Sequence, residues 1–168
     1  MRSSFPTLNA TNLKTALVEG NKVISYAALN LRCDRFASGL LRGEIGRKAD
    51  LEEERIAFFM PASIDYVTTM HGIWRAGGIA VPLNVASAVT ELEHYLTSAS
   101  VSRMIANGDY RESLVDLCAA LNIELLSVDD IITDEAATLP AIAPERRAMM
   151  LFTSGTTNKP KGVVSTHK

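Results

Sequence analysis

The 168-residue chain has only two cysteines, Cys33 and Cys118. They lie far apart with no Cys-x-x-Cys spacing, which excludes a disulfide framework and a thiolate metal centre. An excess of either charge is also missing: 17 Lys and Arg stand against 19 Asp and Glu, a net charge of −2. The basic footprint of a nucleic-acid binder is therefore absent. No apolar run approaches the length of a membrane span, and Met1-Arg2-Ser3-Ser4 opens no secretory signal. Internal repeats and low-complexity tracts are lacking too. The expectation is a soluble protein of a reducing compartment, placed in the cytoplasm.

What is present is a globular composition, 47% hydrophobic and 21% charged, in a length that suits one domain with a real core. Two β-prone runs, Thr15–Glu19 and Lys22–Tyr26, flank Gly20-Asn21 and predict a hairpin. Ser25 then caps a helix with apolar positions Tyr26, Leu29, Cys33, Phe36 and Leu40, ended by Gly43 and Gly46. The charged stretch 50–55 reads as a solvated connection. Arg55–Met60 is a continuous apolar run stopped by Pro61, as in a strand buried on both faces. Ser63 caps a second helix with inner face Tyr66, Val67, Met70, Ile73 and Trp74, closed by Gly77-Gly78. Strand 79–82, helix 90–98, strand 103–107, helix 110–121 and strand 123–128 follow. This alternation argues for βαβ units, an α/β fold with a mainly parallel sheet flanked by helices. Residues 133–144, rich in Ala, Thr and Pro, read as a loop.

A last strand, Ala148–Phe152, runs into Thr153-Ser154-Gly155-Thr156-Thr157-Asn158-Lys159-Pro160-Lys161-Gly162. Small hydroxylic residues, glycines and lysine after a buried strand are what a polyphosphate site needs. Hydroxyls and backbone N–H groups donate to phosphate oxygens, glycine allows close approach, and lysine adds countercharge. Six residues separate Gly155 from Gly162, and Val163 follows, so the segment is neither a P-loop nor a GxGxxG turn.

The segment resembles the signature loop of the adenylate-forming enzymes, which include acyl-CoA synthetases, luciferases and adenylation domains of peptide synthetases. Phe152 to Thr157 and Pro160 to Val163 match that pattern, while Asn158 stands where glycine is usual. Asparagine is the residue that next best tolerates positive φ. Ile24-Ser25-Tyr26, Asp65-Tyr66-Val67, Trp74–Asn84 and Glu91–Leu96 extend the likeness over nearly the whole chain. The wording around Gly72–Arg75 and Arg146–Met149 is most similar to the malonyl-CoA synthetase branch.

The resemblance implies that a carboxylate attacks ATP, giving acyl-adenylate and pyrophosphate, and that CoA then displaces AMP. It assigns Thr153, Ser154, Thr156 and Thr157 to the β- and γ-phosphates, Gly155 to close approach and Lys161 to charge, with Asn158, in the place of the family glycine, counted in the same ATP-phosphate-binding set. Lys159 occupies a variable position. Mg2+ would accompany ATP, held by a ligand outside these residues. Residues 1–168 are then expected to be the N-terminal portion of the large adenylating domain, cut just after the phosphate loop, inactive alone and prone to self-association. An amino-acid or aryl-acid adenylation domain loading a carrier protein, and a non-catalytic remnant, are the alternatives.

Other features have plainer readings. Gly77-Gly78 is a helix end and turn, Trp74 and Met70 are core, and Cys33 and Cys118 are buried thiols. His71 and His94 lack metal-ligand partners in sequence, His167 begins a helix, and Asp129-Asp130 caps a turn.

Overall fold

The computed structural model describes residues 12–42, 48–153 and 160–168. An antiparallel hairpin of β1 (Thr15–Glu19) and β2 (Lys22–Ser25) opens the chain. Ser25 caps α1 (Tyr26–Leu40), its hydroxyl accepting from the Ala28 N–H at 3.2 Å. The helix ends with Leu41 as its C-cap; Gly43 and Gly46 lie outside the described residues.

The main sheet has the order β6-β5-β3-β4-β7-β8. Its members are β3 (Arg55–Phe58), β4 (Ile79–Pro82), β5 (Arg103–Ile105), β6 (Glu124–Leu126), β7 (Arg147–Thr153) and β8 (Lys161–Thr166). The first five run parallel, and β8 returns antiparallel beside β7. Between the strands come α2 (Ile64–Arg75), α3 (Val89–Ala99), α4 (Gly108–Glu112), α5 (Val115–Ala120) and α6 (Val128–Ile131). The expected mainly parallel α/β architecture is what forms.

Strand alternation divides the apolar residues between two cores. Ile56 and Phe58 face the side of α1, α2 and α6, while Ala57 and Phe59 face α3 and α5. Ile79, Val81 and Met104 join the second core; Ala80 and Ile105 join the first. The placement of the helices follows from right-handed crossovers. The step β3 to β4 runs one way across the sheet and β4 to β5 runs back past β3, so α2 and α3 fall on opposite faces. A crevice therefore opens between the carboxyl ends of β3 and β4.

Several local readings change. The stretch 50–54 is not a solvated connection: Leu51 is buried, Asp50 pairs with Arg146, Glu53 with Arg147 and Glu54 with Arg103. Charge alone suggested solvent, but these carboxylates pin the amino ends of β5 and β7. On α2 the fully buried residues are Thr68, Thr69, Gly72 and Ile73, with Tyr66, Met70 and Trp74 only half covered. The helix lies between the sheet and α1, so small residues occupy the crowded side; the Thr68 hydroxyl donates to Ile64 O at 2.8 Å. Helix 110–121 is two helices, broken where the Ser113 hydroxyl donates to Tyr110 O (2.8 Å) and Leu114 turns inward.

Lys161 and Gly162, read as the end of the loop, instead open β8, which runs on to Thr166 as the β-branched Val163, Val164 and Thr166 allow. His167 does not begin a helix. Its N–H donates to Arg146 O at 3.1 Å and its ring lies edge-on to Trp74. Gly77 takes φ +87° after α2 as a helix-ending turn requires, and Asp130 completes a capping box with Ser127.

Candidate functional site

In open parallel sheets ligands bind outside the carboxyl ends of the strands, where the strand order reverses. Here that place is an open cleft of about 490 Å³ between the ends of β3, β4 and β7. Its walls include Met60, Pro61, Tyr66, Leu83, Asn84, Tyr95 and Phe152. Tyr66 rests edge-on against Phe58, with ring centroids 5.0 Å apart. Burial raises its phenol above the ordinary value, so at neutral pH it remains a protonated donor.

Thr153 ends β7 one residue beyond this wall, exposed, and stands opposite Lys161 in the β7–β8 ladder. Lys161 is likewise exposed, and among the described residues no carboxylate pairs with it. Ser154, Gly155, Thr156, Thr157 and Asn158 lie outside the described residues. The two described members of the expected site are thus brought together at one end of the sheet.

Sequence reasoning missed the contacts that α3 makes to both flanks of this pair. The His94 Nε2 lies 3.0 Å from Pro160 O, and its Nδ1 lies 3.3 Å from the Ser98 hydroxyl. Tyr95 stacks at a tilt on Phe152, ring centroids 4.4 Å apart. Only the His94–Ser98 spacing of four was visible in the sequence; the contact to Pro160 spans 66 positions.

Other reactive groups stand apart. Burial pushes the Cys33 thiol up to about 12 and raises Cys118 as well, so neither is a nucleophile at neutral pH. Among the described residues no three His, Cys, Asp or Glu side chains gather as a metal would need.

The family model of the AMP-binding enzymes matches residues 7–168. The chain belongs to the AMP-binding enzyme family. Among relatives of this AMP-binding chain is the mitochondrial malonate–CoA ligase of Homo sapiens, 33% identical over 164 residues, covering 92% of this chain and 28% of that one. A feruloyl-CoA synthase of an Amycolatopsis species is 31% identical over 154 residues, 91% of this chain and 30% of that enzyme. The chain therefore spans less than a third of the length of these curated relatives. ATP-bound MatB from Rhodopseudomonas palustris superimposes with a TM-score of 0.78 at 24% identity, over 94% of this chain and 32% of that structure.

Proposed function

We propose that the protein containing this chain is an ATP-dependent acyl-CoA synthetase, and that residues 1–168 are the N-terminal portion of its adenylating domain. What supports the reading is family membership over nearly the whole chain, together with Thr153 and Lys161 facing each other beside the strand-end cleft. A carboxylate oxygen attacks the α-phosphorus of ATP, the bond to the bridging oxygen breaks, and pyrophosphate leaves. The CoA sulfur then attacks the acyl carbon, AMP departs and the thiol proton passes to solvent.

The chain's contribution belongs to the first step. On this reading Thr153, Ser154, Thr156 and Thr157 donate to β- and γ-phosphate oxygens, and Gly155 and Asn158 belong to the same phosphate-binding set. Lys161 opposes the charge that grows on the leaving pyrophosphate, a preorganised electrostatic contribution. Mg2+ accompanying ATP is assigned no ligand among the described residues. The 168 residues alone are read as inactive, because they span less than a third of the length of the relatives that carry the named activities. The buried thiols fit a reducing compartment, read here as the cytoplasm.

Relatives named for malonate and for feruloyl at similar identity leave the acid to be found by a panel. Acid-dependent pyrophosphate release by the full-length protein, with CoA or a carrier protein as thiol acceptor, identifies both substrates. Lys161→Ala should slow adenylation by about 1.5–3 kcal/mol, roughly 10- to 150-fold, as expected for a lost charged contact. Thioester formation from a supplied acyl-adenylate should stay near the parental rate, since the polyphosphate has gone. Equal losses in both half-reactions would withdraw the phosphate role.

A further inference from the structure

We propose that His94 is a positioning residue for Lys161, acting through the peptide group that joins Pro160 to Lys161. The inference rests on the reading of Lys161 as a polyphosphate contact. The Pro160 carbonyl and the Lys161 N–H lie in one rigid plane, so whatever holds that carbonyl also sets where the lysine leaves the backbone. Pro160 already has its φ fixed by the ring, which leaves ψ as the soft torsion. His94 Nε2 contacts this carbonyl at 3.0 Å.

A carbonyl oxygen only accepts, so Nε2 carries the proton and donates. Nδ1 is then free to accept, and the Ser98 hydroxyl donates to it from the next turn of α3 at 3.3 Å. One neutral tautomer satisfies both bonds, and together they fix the ring's orientation. The next residue on the helix, Tyr95, stacks on Phe152, which immediately precedes Thr153. Consecutive residues of α3 thus hold the backbone just before Thr153 and just before Lys161, the two ends that face each other in the ladder. A lysine on a flexible four-carbon stem serves as a phosphate contact only if its Cα is well placed. The helix supplies that placement.

The test uses the full-length protein and pyrophosphate release measured against ATP and against acid. His94→Leu removes the donor while keeping bulk. It should raise the KM for ATP about 3- to 10-fold, the range one lost hydrogen bond supports, and leave the KM for the acid and the thermal midpoint unchanged. His94→Gln keeps an N–H donor and should recover most of the loss. Ser98→Ala, which removes only the orienting bond, should give a smaller rise in the same parameter and carries the test if His94→Leu fails to fold. In a Lys161→Ala background, His94→Leu should add nothing, because no ammonium remains to be placed. Additive effects, parallel rises in both KM values, or a Gln variant as impaired as Leu would overturn the positioning role alone. A Lys161→Ala protein with parental ATP kinetics would overturn the proposed phosphate site as well.

Discussion

At His71, on α2, the buried ring nitrogen Nδ1 finds no hydrogen-bond partner among the described residues. Burial, and then the positive charge of Arg75, push this imidazole down to about 4. The Trp74 ring meets it edge-on at 5.2 Å and offers no counter-charge. In the unfolded chain a histidine titrates near ~6.5. Between those values the unfolded state binds the extra proton, so stability is full above about pH 6.5 and declines as pH falls towards about 4. His167 is lowered too, by burial first and then Arg146, and adds to the same window. The paired carboxylates Asp50, Glu53 and Glu54 are held below their ordinary values, so the stability they add is lost only at lower pH. Thermal midpoints taken between about pH 7 and about pH 4.5 should therefore fall with acid in the parent. In His71→Leu the slope should be much shallower, with His167 accounting for the remainder. An unchanged slope in the variant would show that some other group titrates there.

At the scale of elements, close packing rests on two glycines whose positions allow helices to touch. A Cβ on Gly39 of α1 would overlap the Ile131 carbonyl oxygen of α6, and one on Gly72 of α2 would overlap the Phe36 ring of α1. The α6 backbone has little freedom to yield, because its first turn is held by the Ser127–Asp130 box and by the Val128 N–H donating to Asn107 Oδ1. Phe36 is fully buried, yet a ring can rotate where a carbonyl cannot. Gly72→Ala should cost about 1–3 kcal/mol as overpacking, partly offset by better helix propensity. Gly39→Ala should cost more. Urea unfolding of the two variants checks the order, and a reversed order would mean that α6 shifts more readily than the Phe36 ring.

The same contacts explain what could be read from the sequence. Apolar runs such as Ile56–Phe59 announce strands because each face meets its own core, and Ser25 and Ser63 announce helix starts because capping is local. Thr153 and Lys161 were legible through the motif around them. What stayed hidden depends on distant partners. The buried side of α2 is set by α1, the charges at 50–54 find arginines far along the chain, and His94 reaches Pro160 across the fold. β8 escaped because none of its residues is buried, so it carries no alternation to detect.

For the molecule as a whole, the sheet's two edges differ. The β6 edge is three residues long, whereas β8 offers six, all exposed. β4 and β8 flank β7, so among the described residues the unpaired backbone groups on this side of the sheet belong to β8. Leu151 and Val163 stand opposite each other on one face at 42% and 54% exposure, and Val164, on the other face opposite Met150, is 39% exposed. A long edge strand with apolar side chains is a template for pairing with another chain. The isolated 168-residue polypeptide is therefore expected to self-associate through β8 when concentrated. Sedimentation velocity should show a dimer or larger species whose fraction rises with concentration. Val163→Lys places a charge in the middle of that edge, the device by which natural edge strands resist pairing, and should return the polypeptide towards monomer without lowering its thermal midpoint. The substitution sits on an exposed side chain, so a loss of association cannot be traced to a damaged core. A parent that stays a monodisperse monomer at high concentration would remove β8 as an adhesive edge, and association undiminished by Val163→Lys would move the contact to another surface.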